Sequence, residues 1–192
     1  MIDKSQIKRD KILQTTMELI AENGFHDSPT ALIAKTAGVS KGTLFWYFEN
    51  KDNLIFELYH DCDAKLHAYI REGYCPELPI RDRFVHLASR LLQYGTTNPV
   101  SFKFMEQFHN SPYGRSVRQE RYYDHPSDDV FIELFHQGIK HKVIKDLPIV
   151  ILFSQAYAPI SFIVRDQLAG FIELDDQLMK SWVSASWDSV KL

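Results

Sequence analysis

The chain has 192 residues, 45% of them apolar and 24% charged, and its 22 Lys/Arg against 25 Asp/Glu give a formal net charge of −3. That is the composition of an ordinary folded protein with room for one sizeable domain or two small ones. It excludes a disordered, collagen-like or disulfide-rich chain. A negative balance also excludes a generic polyanion binder, so any contact with nucleic acid has to be local and geometric. Two cysteines, Cys62 and Cys75, make no disulfide framework and suit a reducing, cytoplasmic compartment. Met1 to Asp10 is charged and lacks an apolar core, so no signal peptide is expected.

Apolar spacing is helical along almost the whole chain. Ile12/Leu13, Thr16 and Leu19/Ile20 recur at three- and four-residue steps, and Gly24 supplies a stop. Ser28-Pro29 reads as an N-cap with proline at the first helical position, opening a short helix from Pro29 to Thr36. Ala37-Gly38-Val39 interrupts it, Ser40 caps a second short helix to about Phe48, and Asn50 caps a third start. Leu54, Leu58, Cys62, Leu66 and Tyr69/Ile70 mark one face of a long helix ending before Gly73. Beyond a proline-containing joint, Phe84, Leu87/Ala88 and Leu91/Leu92 form another amphipathic helix to Asn98-Pro99. Ser101 to His109 is short, helical and rich in Phe, and Asn110 to Gly114 reads as a turn. Helices are expected over Arg115 to Tyr123 and, after His125-Pro126, over Ser127 to Lys142.

Leu147 to Val164 carries no charge over 18 residues, the lower edge of a membrane span. Pro148, Ser154, Gln155, Tyr157, Pro159 and Ser161 make it too polar for a lone spanning helix, so it reads as a buried helix to about Leu168, kinked at Pro159. No membrane contact is expected. Asp175/Asp176 open a last helix to Val190. No stretch alternates long enough to need a sheet, and the predicted fold is all-α.

The informative stretch is Thr30 to Lys51. Two helices crossing steeply need a small residue at the contact, a glycine in the turn and apolar residues facing a third helix. Ala34 is the small residue, Gly38 the turn glycine, and Ile33, Ala37, Val39, Leu44 and Tyr47 fill the apolar slots. The second short helix then offers Ser40, Lys41, Gly42 and Thr43 at the end that enters the major groove in this motif. Gly42 permits close approach, Lys41 and Thr43 reach phosphates or base edges, and Tyr47 and Lys51 are candidate phosphate contacts. Lys4, Lys8, Arg9 and Lys11 form a basic arm. Residues 1–51 hold seven Lys/Arg against six Asp/Glu, while the remainder holds 15 against 19, so the negative surplus lies outside this stretch.

The run from Ile33 to Phe48 (IAKTAGVSKGTLFWYF), with Lys51 and Leu54, resembles the TetR/AcrR family of bacterial transcriptional regulators. Ile12-Leu13 and Glu22 to Phe25 match that family's first helix, so the resemblance covers about the first 55 residues. It implies an N-terminal three-helix helix-turn-helix DNA-binding domain over 1–50 and a C-terminal helical ligand-binding and dimerisation domain over 51–192. It implies further a homodimer on double-stranded DNA carrying a palindromic operator, released by a small-molecule effector. Carried over by position, Lys41, Thr43, Tyr47 and Lys51 are DNA contacts. The family often has Tyr where this chain has Phe45, which lacks the phosphate-binding hydroxyl; the indole N–H of Trp46 is the substitute donor.

For the effector, the middle helices supply Phe84, Phe102, Phe104, Phe108, Tyr113, Tyr122, Tyr123, Phe131 and Phe135, interleaved with His86, Gln107, His109 and Asn110. Of these, Phe84, Phe102, Phe108, His109, Phe131 and Phe135 are the pocket candidates for a small hydrophobic ligand, with plain core as the competing reading. For the dimer, Ser154, Ala156, Ala158 and Ser161 allow close helix approach, and Trp182, Ala185 and Trp187 are anchor candidates. Competing functions are a redox sensor using Cys62 or Cys75, a metal sensor using His60, Asp63 and His67 on one helix face, and an interaction protein without operator binding. No catalytic motif is present and no cofactor is expected, so the chain does not read as an enzyme.

Overall fold

The computed structural model describes residues 4–119 and 129–192, so the expectations for Tyr122, Tyr123 and the His125-Pro126 break lie outside the described residues. The described residues are helical, with no strand and one isolated antiparallel bridge between Ile144 and Lys191. They divide into two compact units. The first takes the residues up to Lys65 together with Val100–Gly114. The second takes Leu66–Pro99 and the residues from Arg115 to Leu192. Compactness therefore divides the chain elsewhere than at residue 50, because the Phe-rich segment after Pro99 packs with the N-terminal helices.

In the first unit α1 (Lys4–Asn23), α2 (Thr30–Ala37), α3 (Lys41–Tyr47) and the first turns of α4 (Lys51–Arg71) surround a core in which Ile12, Ile20, Ile33, Leu44, Phe48, Leu54 and Ile55 are wholly buried. Each such side chain contributes on the order of 1.5–3 kcal/mol. The Ser28 cap does not form. Ser28 is buried and its hydroxyl donates back to the Gly24 carbonyl at 2.8 Å, while Pro29 precedes the helix and its carbonyl accepts from Leu32 and Ile33. Asn50 does cap α4, accepting from the Asn53 N–H at 2.8 Å. The unit is completed by α6 (Pro99–His109) and the start of α7 (Pro112–Gln119). The expected turn over Asn110 to Gly114 is shorter than its residues suggested, because Pro112 suits the first helical position and opens α7.

In the second unit α5 (Ile80–Thr97) packs against α8 (Val130–Lys140), α10 (Ile160–Leu168) and α11 (Asp176–Val190), with α9 (Ile149–Ala156) against α8 and α11. Asp129 caps α8 through the N–H groups of Phe131 and Ile132, and Asp175 caps α11 through Leu178. The apolar stretch Ile149–Leu168 is long enough to cross a bilayer by composition. Here Tyr157 to Pro159 break it into α9 and α10, as proline in a helix interior should. Leu152, Ala156, Tyr157, Ile160 and Val164 turn inward as core. Ser186 lies in α11 where it meets α9, donating to the Ala156 carbonyl at 2.7 Å.

Gly114 sits at the α6–α7 corner because nothing larger fits. A Cβ there would meet the Phe108 carbonyl oxygen at 2.6 Å and His109 Cα at 2.7 Å, both backbone atoms that cannot swing aside. Gly114→Ala should therefore cost about 1–3 kcal/mol of unfolding free energy, read as a lowered urea midpoint at unchanged m-value.

Candidate functional site

The helix-turn-helix is built from two terminal devices. At the end of α2, Gly38 adopts φ 70°, and the N–H groups of Gly38 and Val39 return to the carbonyls of Lys35 and Ala34 at 3.1 and 3.0 Å. This is a Schellman closure, which turns the chain sharply and favours glycine for its left-handed backbone. At the start of α3, Ser40 Oγ accepts from the Thr43 N–H at 3.0 Å and lies 2.9 Å from Thr43 Oγ1. Leu44 and Phe48 are wholly buried. With those two facing inward, Ser40, Lys41, Gly42, Phe45 and Trp46 face solvent, Trp46 being 73% exposed, and Thr43 and Tyr47 are half-buried.

The flanking residues divide between exposed and engaged. Lys4, Lys8 and Lys11 are exposed, but Arg9 leaves the basic arm: it pairs with Glu57 and lies over the Phe48 ring at 5.5 Å. Tyr47 Oη is bonded to Ser5 Oγ at 3.0 Å, which ties α3 to α1. Lys51 Nζ donates to the Phe25 carbonyl at 2.6 Å, tying the start of α4 to the α1–α2 loop. Burial holds its pKa below the ordinary lysine value, against an opposing pull from Asp52. Asp52 in turn accepts from Tyr113 Oη at 2.6 Å, and burial followed by that carboxylate pushes the phenol up to about 12.

The six aromatic and histidine candidates for an effector divide between the two units, three in each. Phe102, Phe108 and His109 lie on α6 in the first unit, where Phe108 stacks on Tyr59 at 4.2 Å and His109 meets Tyr59 edge-on. Phe84, Phe131 and Phe135 lie in the second unit and converge on Tyr157, with ring centroids 5.2, 4.6 and 5.7 Å from it. Tyr157 entered the sequence reading only as a polar break in an apolar helix, yet it is the hub of this cluster. The same unit also buries Arg83, 2% exposed and hydrogen-bonded to Tyr74 and Gln137, a residue the sequence reading passed over. Its i, i+4 spacing to Leu87 was the available signal, since it puts an arginine on the apolar stripe of α5.

Of the proposed dimer residues, Ser154 and Ala158 are exposed and Trp182 is half-buried. Trp187 is not an anchor: it is 5% exposed and packs against Phe84 at 5.2 Å, so it belongs to the subunit's own core. Ala156 is likewise fully buried. Exposed apolar side chains in α9, α10 and α11 include Val150, Ile151, Phe162 and Leu178.

The competing sensor chemistries find little to use. Cys62 is 3% exposed, 3.7 Å from the Met17 sulfur, and burial pushes its thiol from 9.0 up to about 11, away from the reactive thiolate. Cys75 is half-exposed, its Sγ 3.1 Å from Glu77 Oε2. Among the described residues no three His, Cys, Asp or Glu side chains are placed to share a metal, so the competing metal-sensor reading of His60, Asp63 and His67 has no cluster behind it.

A short recognition helix held by a Schellman turn, with its outer face presented to solvent, defines a helix-turn-helix DNA-binding transcriptional regulator. Residues 12–58 match the family model for bacterial regulatory proteins of the tetR family, and residues 79–191 match that for a tetracyclin repressor-like C-terminal domain. The chain therefore belongs to the TetR family of transcriptional regulators, and it is not an enzyme. It is 43% identical over 51 residues to the fatty acid metabolism regulator protein of Bacillus subtilis, a match spanning 27% of this chain and 26% of that one. It is 22% identical over 188 residues, 95% of each chain, to an uncharacterized HTH-type transcriptional regulator of Haemophilus influenzae. The fold is similar to that of a TetR-family regulator from Marinobacter aquaeolei, with TM-score 0.83, 24% identity and 97% and 96% of the two chains covered. A candidate regulator from Saccharomonospora viridis, solved in complex with choline, has TM-score 0.71 at 19% identity, covering 97% and 99% of the two chains.

Two outcomes test this geometry. Ser40→Ala removes the α3 cap and should cost about 1 kcal/mol, visible as faster amide exchange at Leu44 and Phe45. In native protein at pH 8, iodoacetamide should label Cys75 and spare Cys62 until denaturant is added; labelling of native Cys62 would return it to the list of sensors.

Proposed function

We propose that the protein is a repressor that binds a palindromic operator as a homodimer and is released by a small hydrophobic effector. The observation that carries this reading is the outer face of α3. Lys41, Gly42, Thr43 and Trp46 project from a helix whose other side is locked by Leu44 and Phe48. In this arrangement Thr43 reads a base edge. Lys41, the Trp46 indole N–H, Tyr47 and Lys51 hold phosphates. Lys51 spends one N–H on Phe25, which fixes its position and leaves two donors for DNA.

Dimerisation is assigned to the outer side of α9, α10 and α11. Ile151 and Ser154 on α9, Ala158 in the break and Phe162 on α10 are all exposed, and on α11 Leu178 and Ala185 are exposed with Trp182 half-buried. Phe162 is 65% exposed, a large apolar surface for a lone subunit to leave in water. A second copy on a two-fold axis would cover it and form a four-helix arrangement. Release follows from α4, one continuous helix whose early turns belong to the first unit and last turns to the second. An effector bound in the second unit that displaces those last turns alters the separation of two recognition helices, which must match half-sites ~34–36 Å apart.

Selection of genomic fragments by the purified protein should enrich a palindrome, and enrichment of none would overturn the operator reading. Lys51→Ala should weaken binding to all sequences alike and lower the salt slope by about 1. Thr43→Ala should instead change the preferred sequence. Phe162→Glu should give a monomer by light scattering, with operator affinity lost and the helical content intact.

A further inference from the structure

Among the described residues of the second unit, Arg83 and Asp129 are the buried charged side chains, and Arg83 is the more deeply buried. A guanidinium cannot shed its proton, so burial leaves it charged. Its Nε donates to Tyr74 Oη at 2.8 Å and its Nη1 to Gln137 Oε1 at 2.6 Å, both neutral acceptors. Its Nη2 is buried and has no acceptor, and among the described residues no carboxylate forms an ion pair with it. The Tyr157 hydroxyl, on a residue 2% exposed, is buried without a hydrogen-bond partner as well. The two belong to one neighbourhood. Tyr74, which accepts from Arg83, also acts electrostatically on Tyr157, and the stacked ring beside Tyr157 is that of Phe84, next to Arg83 in α5.

We propose that Arg83 and Tyr157 are the polar end of an effector site in the second unit and take the carboxylate of a small apolar acid, whose body lies against Phe84 and Phe131. The assignment rests on the effector reading above and names the chemistry of its ligand. One carboxylate oxygen accepts from Arg83 Nη2 and the other from Tyr157 Oη, giving each orphaned donor a charged acceptor. Burial, with Tyr74 and Asp129 adding to it, holds the Tyr157 phenol well above its ordinary value, so it is a protonated donor at neutral pH. A monoanion fits better than a phosphate dianion, since one cation is present and the Asp129 carboxylate already acts on Tyr157. Asp129 itself is committed to capping α8 through Oδ1. A quaternary ammonium of the choline kind would meet the buried charge of Arg83 and is disfavoured.

The test is calorimetric titration of the full chain with monocarboxylates graded from benzoate to decanoate, each paired with its uncharged amide, and with choline. At least one acid should bind about tenfold or more tighter than its amide. Arg83→Met should abolish that preference, and Tyr157→Phe should weaken the acid by about tenfold while leaving the amide unchanged. Circular dichroism of both variants checks that they fold. No preference for any acid over its amide, or a preference that survives Arg83→Met, overturns the assignment. Operator release is measured in parallel. An acid that binds through Arg83 without altering operator affinity keeps the anion site and removes its effector role. Release by choline from the unaltered protein, with Arg83 in place, keeps the effector reading and removes the anion site.

Discussion

A seven-residue helix has no stability of its own in water, because nucleation costs more than so few hydrogen bonds return. The surface proposed above to read DNA is such a helix. It exists because Leu44 and Phe48 are wholly buried, which contributes on the order of 3–6 kcal/mol together, against about 1 kcal/mol from the Ser40 cap. Burial thus dominates and the cap refines. The tie from Tyr47 to Ser5 and the packing of Arg9 over Phe48 act on the same helix from α1. The exposed side of α3 is consequently free to vary in sequence without loss of fold, as a specificity surface must be.

The second unit is organised on a different principle. Its core is aromatic and centred on Tyr157, at the point where Pro159 breaks an otherwise continuous apolar helix. The break turns a residue with a polar tip into the interior, and α5 turns Arg83 the same way. Buried polar groups weaken a core unless they are satisfied, so a unit built only for stability would have apolar residues at both positions. Keeping them lowers stability, and on the assignment proposed above a ligand that satisfies them would restore it, which is how binding would be coupled to the fold.

The first unit was largely legible in the sequence because its signals are local. Gly38, Ser40 and Asn50 each act within four residues, and all three do in the structure what their spacing predicted. Ser28 failed because a competing local bond won: the residue is buried and its hydroxyl donates to the Gly24 carbonyl four residues back. The partition of the aromatics was not legible either. Phe108 and Phe135 look alike in a helical pattern, and only the return of α6 to the N-terminal helices sends them to different units. Trp187 illustrates the same limit, since periodicity identifies an apolar face without saying whether the subunit or a partner covers it.

Lysine and arginine show where charge arithmetic stops. A net charge of −3 excluded a generic DNA binder, yet the sign of the total says nothing about where each cation lies. Lys41 is exposed on α3, Arg9 is spent on Glu57, Lys51 is held by Phe25, and Arg83 is enclosed with an unused nitrogen. These four cations have four different energetic situations. An exposed lysine contributes through counterion release when it meets a phosphate, an effect that salt erodes. A buried guanidinium gains its anion in a low dielectric, where salt screens little. DNA affinity should therefore respond steeply to ionic strength while binding at the proposed interior site does not, and that difference separates the two binding functions proposed for one acidic chain.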